Sequence, residues 1–276
     1  MDNPSIESVI LLTPQIYAFV AVCIFIFGAL LGSFANVVIY RLPKNESIVL
    51  PRSHCYACKK TISWYDNIPI FSWFILRGKC RACGAKYSFR YAFVELLMAS
   101  VFLALFLKVG LSWLLLEYLI FTFALIISCF IDLDYMILPD VFTLSGIVFG
   151  LFGAALNPER EFMPALWGVI LGGGSLWFVA IIYSALRKQE GMGGGDIKLL
   201  GWIGAILGWT SVPFVIIASS LVGSLLGLII MARSKKGLAH AIPFGPYLAF
   251  GAFLYIFFGK ELSEIYIHFF IPSLNS

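Results

Sequence analysis

The chain has 276 residues, of which 61% are hydrophobic, 16% aromatic and only 12% charged. Soluble domains carry roughly a quarter of charged residues, so this composition excludes an ordinary soluble protein. The net charge of +4 is small, but the charges are unevenly distributed along the chain. We expect a polytopic membrane protein.

Eight apolar stretches approach the length of about 20 residues that a helix needs to span a bilayer. They predict an all-α polytopic membrane protein with about eight transmembrane helices. The sixth is short and contains Lys198, so it could be tilted or only partly inserted. The stretches fall at 16–40, 92–109, 113–131, 141–157, 163–186, 197–209, 212–232 and 243–259.

The distribution of basic residues predicts the orientation. Residues 41–90 contain ten Lys/Arg and two acids, a net of +8. By the positive-inside rule this segment is cytoplasmic and the acidic N-terminus lies outside. Alternation from there puts the basic clusters at 187–188 and 233–236 inside, with residues 132–140 on the same side. Asp132 and Asp196 are then expected at the cytoplasmic ends of their helices, where they can meet.

Four cysteines form two closely spaced pairs, Cys55-x-x-Cys58 and Cys80-x-x-Cys83, separated by 21 residues. This spacing is typical of a Cys₄ zinc ribbon, and a reducing cytoplasmic setting favours metal over disulfides. Such a closed site leaves no open position on the metal, so we expect structural zinc and no metal-assisted hydrolysis. His54 is an alternative ligand or a loop residue without that role.

The loop between the cysteine pairs, residues 59–74, mixes aromatic side chains with turn-forming residues. It could form a binding surface for a flat cofactor or a peptide. The sequence slightly favours the other interpretation, an amphipathic stretch at the bilayer interface, where Trp and Tyr gather.

An acid closes the glycine run Gly191–Asp196. Ionisable groups at membrane helix ends are costly and are functional by default, so Asp196 needs a partner. Its candidates are Asp132, Asp134 and Asp140. Asp132 and Asp134 are about 200° apart on a helix, so at most one faces a given partner. Helix capping is the alternative role of Asp196 and of Asp140.

These residues closely resemble one family, the bacterial type IV prepilin leader peptidases, which also act as N-methyltransferases. The motifs run in order over most of the chain: Gly32–Pro43, Pro51–Cys58, Trp64–Pro69, Arg77–Gly84, Glu95–Leu97, Asp132–Asp140, Gly193–Leu200 and Ile242–Pro246.

The resemblance implies a membrane aspartyl protease that cleaves the basic leader of prepilins or pseudopilins and then methylates the new N-terminus with S-adenosylmethionine. It places the first catalytic acid at Asp132, with Asp134 as the other candidate, and the second at Asp196. Two such carboxyl groups can share one proton, and cleavage then needs no metal. Glu95 is expected to contact a positive group of the methyl donor or of the substrate amine, or else to pair with Arg90 or Arg41.

The expected organisation has four parts: a transmembrane anchor (1–40), a Cys₄ zinc-binding domain associated with methyl transfer (41–91), a transmembrane aspartyl protease domain (92–260) and a tail (261–276). The implied location is the bacterial inner membrane, with prepilins and lipid as partners and no nucleic acid. Two alternatives are a transporter or channel with a zinc-stabilised cytoplasmic cap, and a catalytically idle assembly factor.

Overall fold

The structure is a computed structural model that describes residues 13–188, 193–233 and 243–270, with only the backbone described at 230–233, 260 and 262–270. The described residues form nine α-helices and two short 3₁₀ turns, and their only β pairing is two isolated bridges. The all-α prediction is therefore confirmed for this part of the chain. The helices are α1 (Pro14–Arg41), α2 (Phe71–Leu76), α3 (Arg90–Val109), α4 (Trp113–Tyr135), α5 (Asp140–Leu156), α6 (Phe162–Arg187), α7 (Gly194–Leu207), α8 (Ser211–Arg233) and α9 (Gly245–Phe270).

Each of the eight apolar stretches forms a helix, and the six-residue α2 is the additional one. Five helices, α1, α3, α4, α6 and α8, are long and apolar enough to cross a membrane. α5 and the first part of α9 are shorter apolar helices, and α7 has 14 residues. The membrane character is thus confirmed, whereas a count of eight spans stays a prediction.

The chain divides into two compact units, residues 1–127 and 128–276, and α4 begins in the first and ends in the second. In the first unit α1 packs along α3. The two backbones approach so closely at Gly32 that a Cβ there would lie 2.6 Å from the Cα of Glu95. This close packing of α1 and α3 fixes Glu95 beside α1. The buried residues that follow Glu95 on α3 include Met98, Phe102 and Phe106.

In the second unit α7 is the central helix, because every residue from Leu199 to Ile206 is buried. α6 packs along one side of it, where Gly168 and Gly204 touch through their backbones and leave no room for a side chain on either. α5 packs against α7 near Trp202, whose ring lies against Gly146. The first turn of α7, which holds Asp196, is therefore anchored by a helix packed on several sides.

Candidate functional site

The two cysteine pairs of the first unit adopt the same backbone turn. In each, the N–H of the first cysteine donates to the carbonyl five residues later, at 3.0 Å for Cys55 and 2.8 Å for Cys80. The N–H four residues later returns a bond to that cysteine's carbonyl, and these fourth positions, Lys59 and Gly84, both have positive φ. Because the turn is the same in both pairs, each pair can present its two sulfurs on one side of its turn.

The four sulfurs converge as the spacing predicts. The Sγ atoms of Cys55, Cys58, Cys80 and Cys83 all lie within 4.8 Å of one another, and those of Cys55 and Cys83 are 3.8 Å apart. Four sulfurs about 2.3 Å from a tetrahedral ion would be about 3.8 Å apart, so the cluster fits a metal such as zinc. His54 is not part of the cluster: its Nδ1 lies 3.1 Å from the Arg52 carbonyl.

The cluster holds unequal thiols. The backbone N–H groups of Cys58 and Ala57 lower the pKa of the Cys55 thiol to about 6. The N–H of Ala85 lowers the pKa of Cys83, but the neighbouring sulfurs and desolvation together raise it to about 11. Four crowded sulfurs cannot all ionise without a compensating cation, which is what a metal ion supplies.

The second cysteine pair is tied to the aromatic loop by an ion pair. Arg81 donates through Nε and a terminal nitrogen to both oxygens of Asp66, at 2.6 to 2.9 Å, in a bidentate geometry. Asp66 belongs to the 3₁₀ turn Trp64–Asn67, and the Arg81 guanidinium also lies over the Tyr65 ring. The ion pair therefore links the backbone of the second cysteine pair to the turn that contains Trp64 and Tyr65.

Glu95 holds the next turn of this loop. Its Oε2 accepts a 2.6 Å hydrogen bond from the N–H of Ile70. Ile70 has φ +66° and ψ −58°, and Phe71 N–H donates across it to the Pro69 carbonyl, which makes a γ-turn. That conformation is strained for a β-branched residue and persists only where its surroundings hold it. The Ser33 hydroxyl also hydrogen-bonds to this carboxyl group, so the partners of Glu95 include a backbone amide and a hydroxyl. Arg41, one of its expected partners, instead donates to the carbonyls of Ser47 and Pro51.

A cavity of about 660 Å³ opens beside Glu95, entirely within the first unit. This volume lies inside the range of about 300–1,000 Å³ typical of small-molecule sites. Burial raises the pKa of Tyr87 in its wall and raises that of Tyr56 to about 12, so both phenols remain protonated. Its polar lining includes Ser33, Asn36, Tyr65, Asn67, Tyr87 and Glu95.

In the second unit Asp132 is buried, with 5% of its surface exposed, in the last turn of α4. Its Oδ2 accepts a 3.0 Å hydrogen bond from the N–H of Gly245, the first residue of α9. A Cβ on Gly245 would lie 2.6 Å from that oxygen, so only glycine allows this approach. The bond fixes the position of one carboxylate oxygen of Asp132 and thereby the orientation of its carboxyl group.

Asp196 is half-buried in the first turn of α7 and close enough to Asp132 for the two carboxyl groups to interact electrostatically. Gly193 occupies the N-cap position of this helix, so the alternative that Asp196 is the N-cap is wrong. Leu138 packs against two glycines that adjoin the acids: Cβ atoms on Gly195, next to Asp196 in the chain, and on Gly245, which binds Asp132, would lie 2.9 and 3.2 Å from its side chain. Gly191 and Met192, the start of the glycine run, lie outside the described residues.

The other two acids are placed differently. Asp134 is exposed in the same turn of α4, whereas Asp132 is buried. Asp140 is the first residue of α5, and Pro139 before it occupies the N-cap position. The Asp140 carboxylate forms a 2.6 Å ion pair with Lys198. The expectation that Asp140 is an N-cap is therefore wrong by one residue, and its carboxylate instead links the starts of α5 and α7.

Three functional features escaped the sequence analysis: the Gly245 contact, the packing of Leu138 and the Asp140–Lys198 pair. Gly245 lies between Phe244 and Pro246 in the motif Ile242–Pro246, to which the sequence alone assigns no function. A glycine just before a helix-starting proline was the available signal, but the partner is 113 residues away.

Comparison with known proteins gives concordant results over both units. Residues 26–109 match the model of the bacterial peptidase A24 N-terminal domain, and residues 119–228 match that of the type IV leader peptidase family. No solved structure matches.

Several curated relatives carry the name prepilin leader peptidase/N-methyltransferase. That of Aeromonas hydrophila is 36% identical over 272 residues, covering 88% of this chain and 92% of the relative. Those of Pseudomonas aeruginosa and Xanthomonas campestris are 35% and 37% identical over 270 and 271 residues, covering 90% and 88% of this chain and 93% and 92% of theirs. These matches support the interpretation as a peptidase and give no support to that as a transporter. The chain therefore belongs to the type IV leader peptidase family.

Proposed function

We propose that this chain is a bifunctional membrane enzyme that cleaves the leader peptide of type IV prepilins or pseudopilins and then N-methylates the exposed residue. The observation that carries the peptidase half is the buried carboxyl group of Asp132, held by Gly245 and close to Asp196. The relatives' names supply the substrate class and the second activity.

In the proposed proteolysis the two carboxyl groups share one proton. The ionised group takes a proton from a water molecule, whose oxygen attacks the scissile carbonyl, while the protonated group donates to the carbonyl oxygen. The C–N bond of the tetrahedral intermediate then breaks: the newly protonated carboxyl group gives its proton to the departing amine, and a hydroxyl group of the intermediate returns its proton to the other carboxylate as the carbonyl forms again. Asp132 is the better first acid than Asp134 because it is buried beside Gly245, whereas Asp134 is exposed.

The methyl-transfer half is assigned to the cavity of the first unit. Its volume and polar lining fit S-adenosylmethionine, which supplies an electrophilic methyl group when bound. Glu95 contributes in two ways: its carboxylate is a negative group in the wall, and it orients the loop through Ile70. In this proposal methyl transfer is served by residues 41–91 together with Ser33, Asn36 and Glu95 from the flanking helices, and the protease acids belong to 92–260.

The Cys₄ cluster is proposed to hold zinc as a structural ion. Four sulfurs leave no position for a substrate, and the Arg81–Asp66 pair connects the cluster to the wall of the cavity. Zinc would therefore support the methyl-transfer site without taking part in either reaction.

The proposed setting is the bacterial inner membrane, with residues 41–90 and both sites on the cytoplasmic side. The net charge of +8 in this segment supports it through the positive-inside rule. A prepilin-like substrate has a soluble basic leader joined to an apolar helix, so its scissile bond would lie at that face.

The decisive experiment incubates the purified, metal-loaded chain in detergent with a synthetic prepilin and labelled S-adenosylmethionine. Leader release and label transfer are read separately. We expect both, with methylation confined to cleaved product. Absence of leader release with a folded chain would reject the peptidase assignment, and release without label transfer would reject the methyltransferase half.

A further inference from the structure

The short helix α2 has its polar and apolar sides reversed relative to a helix in water. Phe71, Phe74 and Ile75 are 65%, 58% and 69% exposed, whereas Ser72 is buried. A six-residue helix on a soluble module would be expected to place such side chains inward. Exposed apolar clusters of this kind mark a surface that another apolar phase covers.

This exposed face continues onto α3. The Phe89 ring, just before α3, lies 4.9 Å from the Trp73 ring and 6.4 Å from that of Phe74, measured between centroids. From Phe89 onward the exposed large side chains recur at Phe93 and Leu96, the i, i+4, i+7 spacing of one helix face. α3 is one of the helices long and apolar enough to span a membrane. The apolar face of α2 is therefore joined to the outward face of a membrane-capable helix.

The charges around this face suit a lipid headgroup layer. The segment 41–90 has a net charge of +8, and Arg77 and Lys79, which directly follow α2, are both exposed. Anionic lipids attract such basic segments close to a membrane, and an interfacial helix with Phe on its apolar face buries that face at the boundary between headgroups and acyl chains. The pattern of an apolar face bordered by basic residues is typical of a helix lying in the membrane surface.

We infer that the α2 surface, defined as Phe71, Phe74, Ile75 and Phe89, is inserted into the interfacial layer of the lipid bilayer. The Cys₄ module is then docked on the membrane and does not project freely into water. This inference resolves the two interpretations of the 59–74 loop for its second half: α2 meets lipid, while residues 65–67 of the preceding turn line the cavity. It does not depend on the proposed function, because it follows from exposure, continuity and charge.

The test uses the full chain, loaded with zinc and reconstituted into nanodiscs that contain anionic lipid. Cys23 and Cys129 are replaced by alanine, and one nitroxide label is attached through Ile75→Cys. The matched control is Glu46→Cys, an exposed acidic position in the same segment. Collision of the label is measured with oxygen, which concentrates in lipid, and with a neutral macrocyclic gadolinium chelate, which stays in water.

We expect the label at position 75 to favour oxygen over the chelate by at least about tenfold relative to position 46. Phe71→Cys, on the same face, should behave like position 75, which guards against a local misfolding at one site. Zinc content confirms that each labelled chain keeps its Cys₄ cluster. Equal chelate access at 75, 71 and 46 would overturn the inference in favour of water. Low access to both agents at 75 and 71 would overturn it in favour of a protein partner, including a second copy of this chain.

Discussion

The N–H of Gly245 donates to Oδ2 of Asp132 across 113 residues of sequence, in a buried setting and at 3.0 Å. The bond joins the start of α9 to the end of α4, and the lack of a Cβ on Gly245 is what permits it. In the proposed mechanism Gly245 is therefore a positioning residue: it fixes one oxygen of the Asp132 carboxyl group, and with it the direction of the other oxygen.

Replacement Gly245→Ala should impair proteolysis selectively. The added Cβ would meet Oδ2 at 2.6 Å, so the carboxylate must turn and the charge-assisted bond is lost. Such bonds contribute about 1.5–3 kcal/mol, so we expect kcat for leader cleavage to fall about tenfold to a hundredfold with little change in KM. Steady-state cleavage kinetics on a synthetic prepilin measure both constants.

Gly251→Ala is the matched control, because it adds the same Cβ to the same helix against the Val215 carbonyl at 3.0 Å, away from Asp132. This variant should lower thermal stability without a selective loss of kcat. Equal kinetic losses in the two variants would mean that Gly245 serves only the packing of α9.

Asp132→Asn and Asp196→Asn should each abolish leader cleavage, because an amide can neither take a proton from water nor exchange roles with its partner. Asp134→Asn should keep cleavage within about threefold of the unaltered chain, because its side chain is exposed and outside the pair. Leader release is measured by mass spectrometry, with zinc content as the folding control. Retained cleavage in Asp132→Asn, together with its loss in Asp134→Asn, would transfer the first catalytic role to Asp134.

The helices were predictable because their cause is local. A run of apolar residues long enough to span lipid must satisfy its backbone internally, so residues 92–109 form a helix wherever they pack. The sixth stretch shows where local reasoning is weaker. Its helix begins at Gly194, three residues earlier than expected, and so includes the end of the glycine run.

The Cys₄ cluster was also predictable, since two short repeats of the same turn specify it. The Asp132–Gly245 bond was not, because it depends on how α4 and α9 pack and no local pattern encodes that. Glu95 shows a third case. Its position in an apolar helix marks it as unusual, but one of its partners is the backbone amide of Ile70, which leaves no trace in the sequence.

Metal removal should disorder the first unit's loop without unfolding the rest of the chain. The purified protein should contain one zinc per chain, and Cys55→Ser or Cys83→Ser should lose it, because a tetrahedral site with three thiolates binds far more weakly. Limited proteolysis then measures new cleavage within residues 51–90. Cys129→Ser, outside the cluster, is the control and should keep the metal. A loop equally resistant with and without zinc would show that the ion is not structural.

The two activities should respond separately to Glu95→Gln. The amide keeps the shape of the side chain but offers a weaker acceptor to the Ile70 N–H, so the γ-turn at Ile70 loses part of its support and the cavity loses a negative charge. Exchanging a charged for a neutral hydrogen bond costs about 1 kcal/mol, so methylation of a pre-cleaved pilin should fall about fivefold or more. Leader cleavage should stay within about twofold, because Glu95 is no part of the aspartate pair. Glu46→Gln, which changes an exposed carboxyl group of the same segment, should leave both rates unchanged.

Asp196→Asn completes the comparison: this variant should still methylate a pre-cleaved pilin. If that variant bound zinc and S-adenosylmethionine yet failed to methylate, one site would serve both reactions, and the assignment of methyl transfer to the first unit would be wrong.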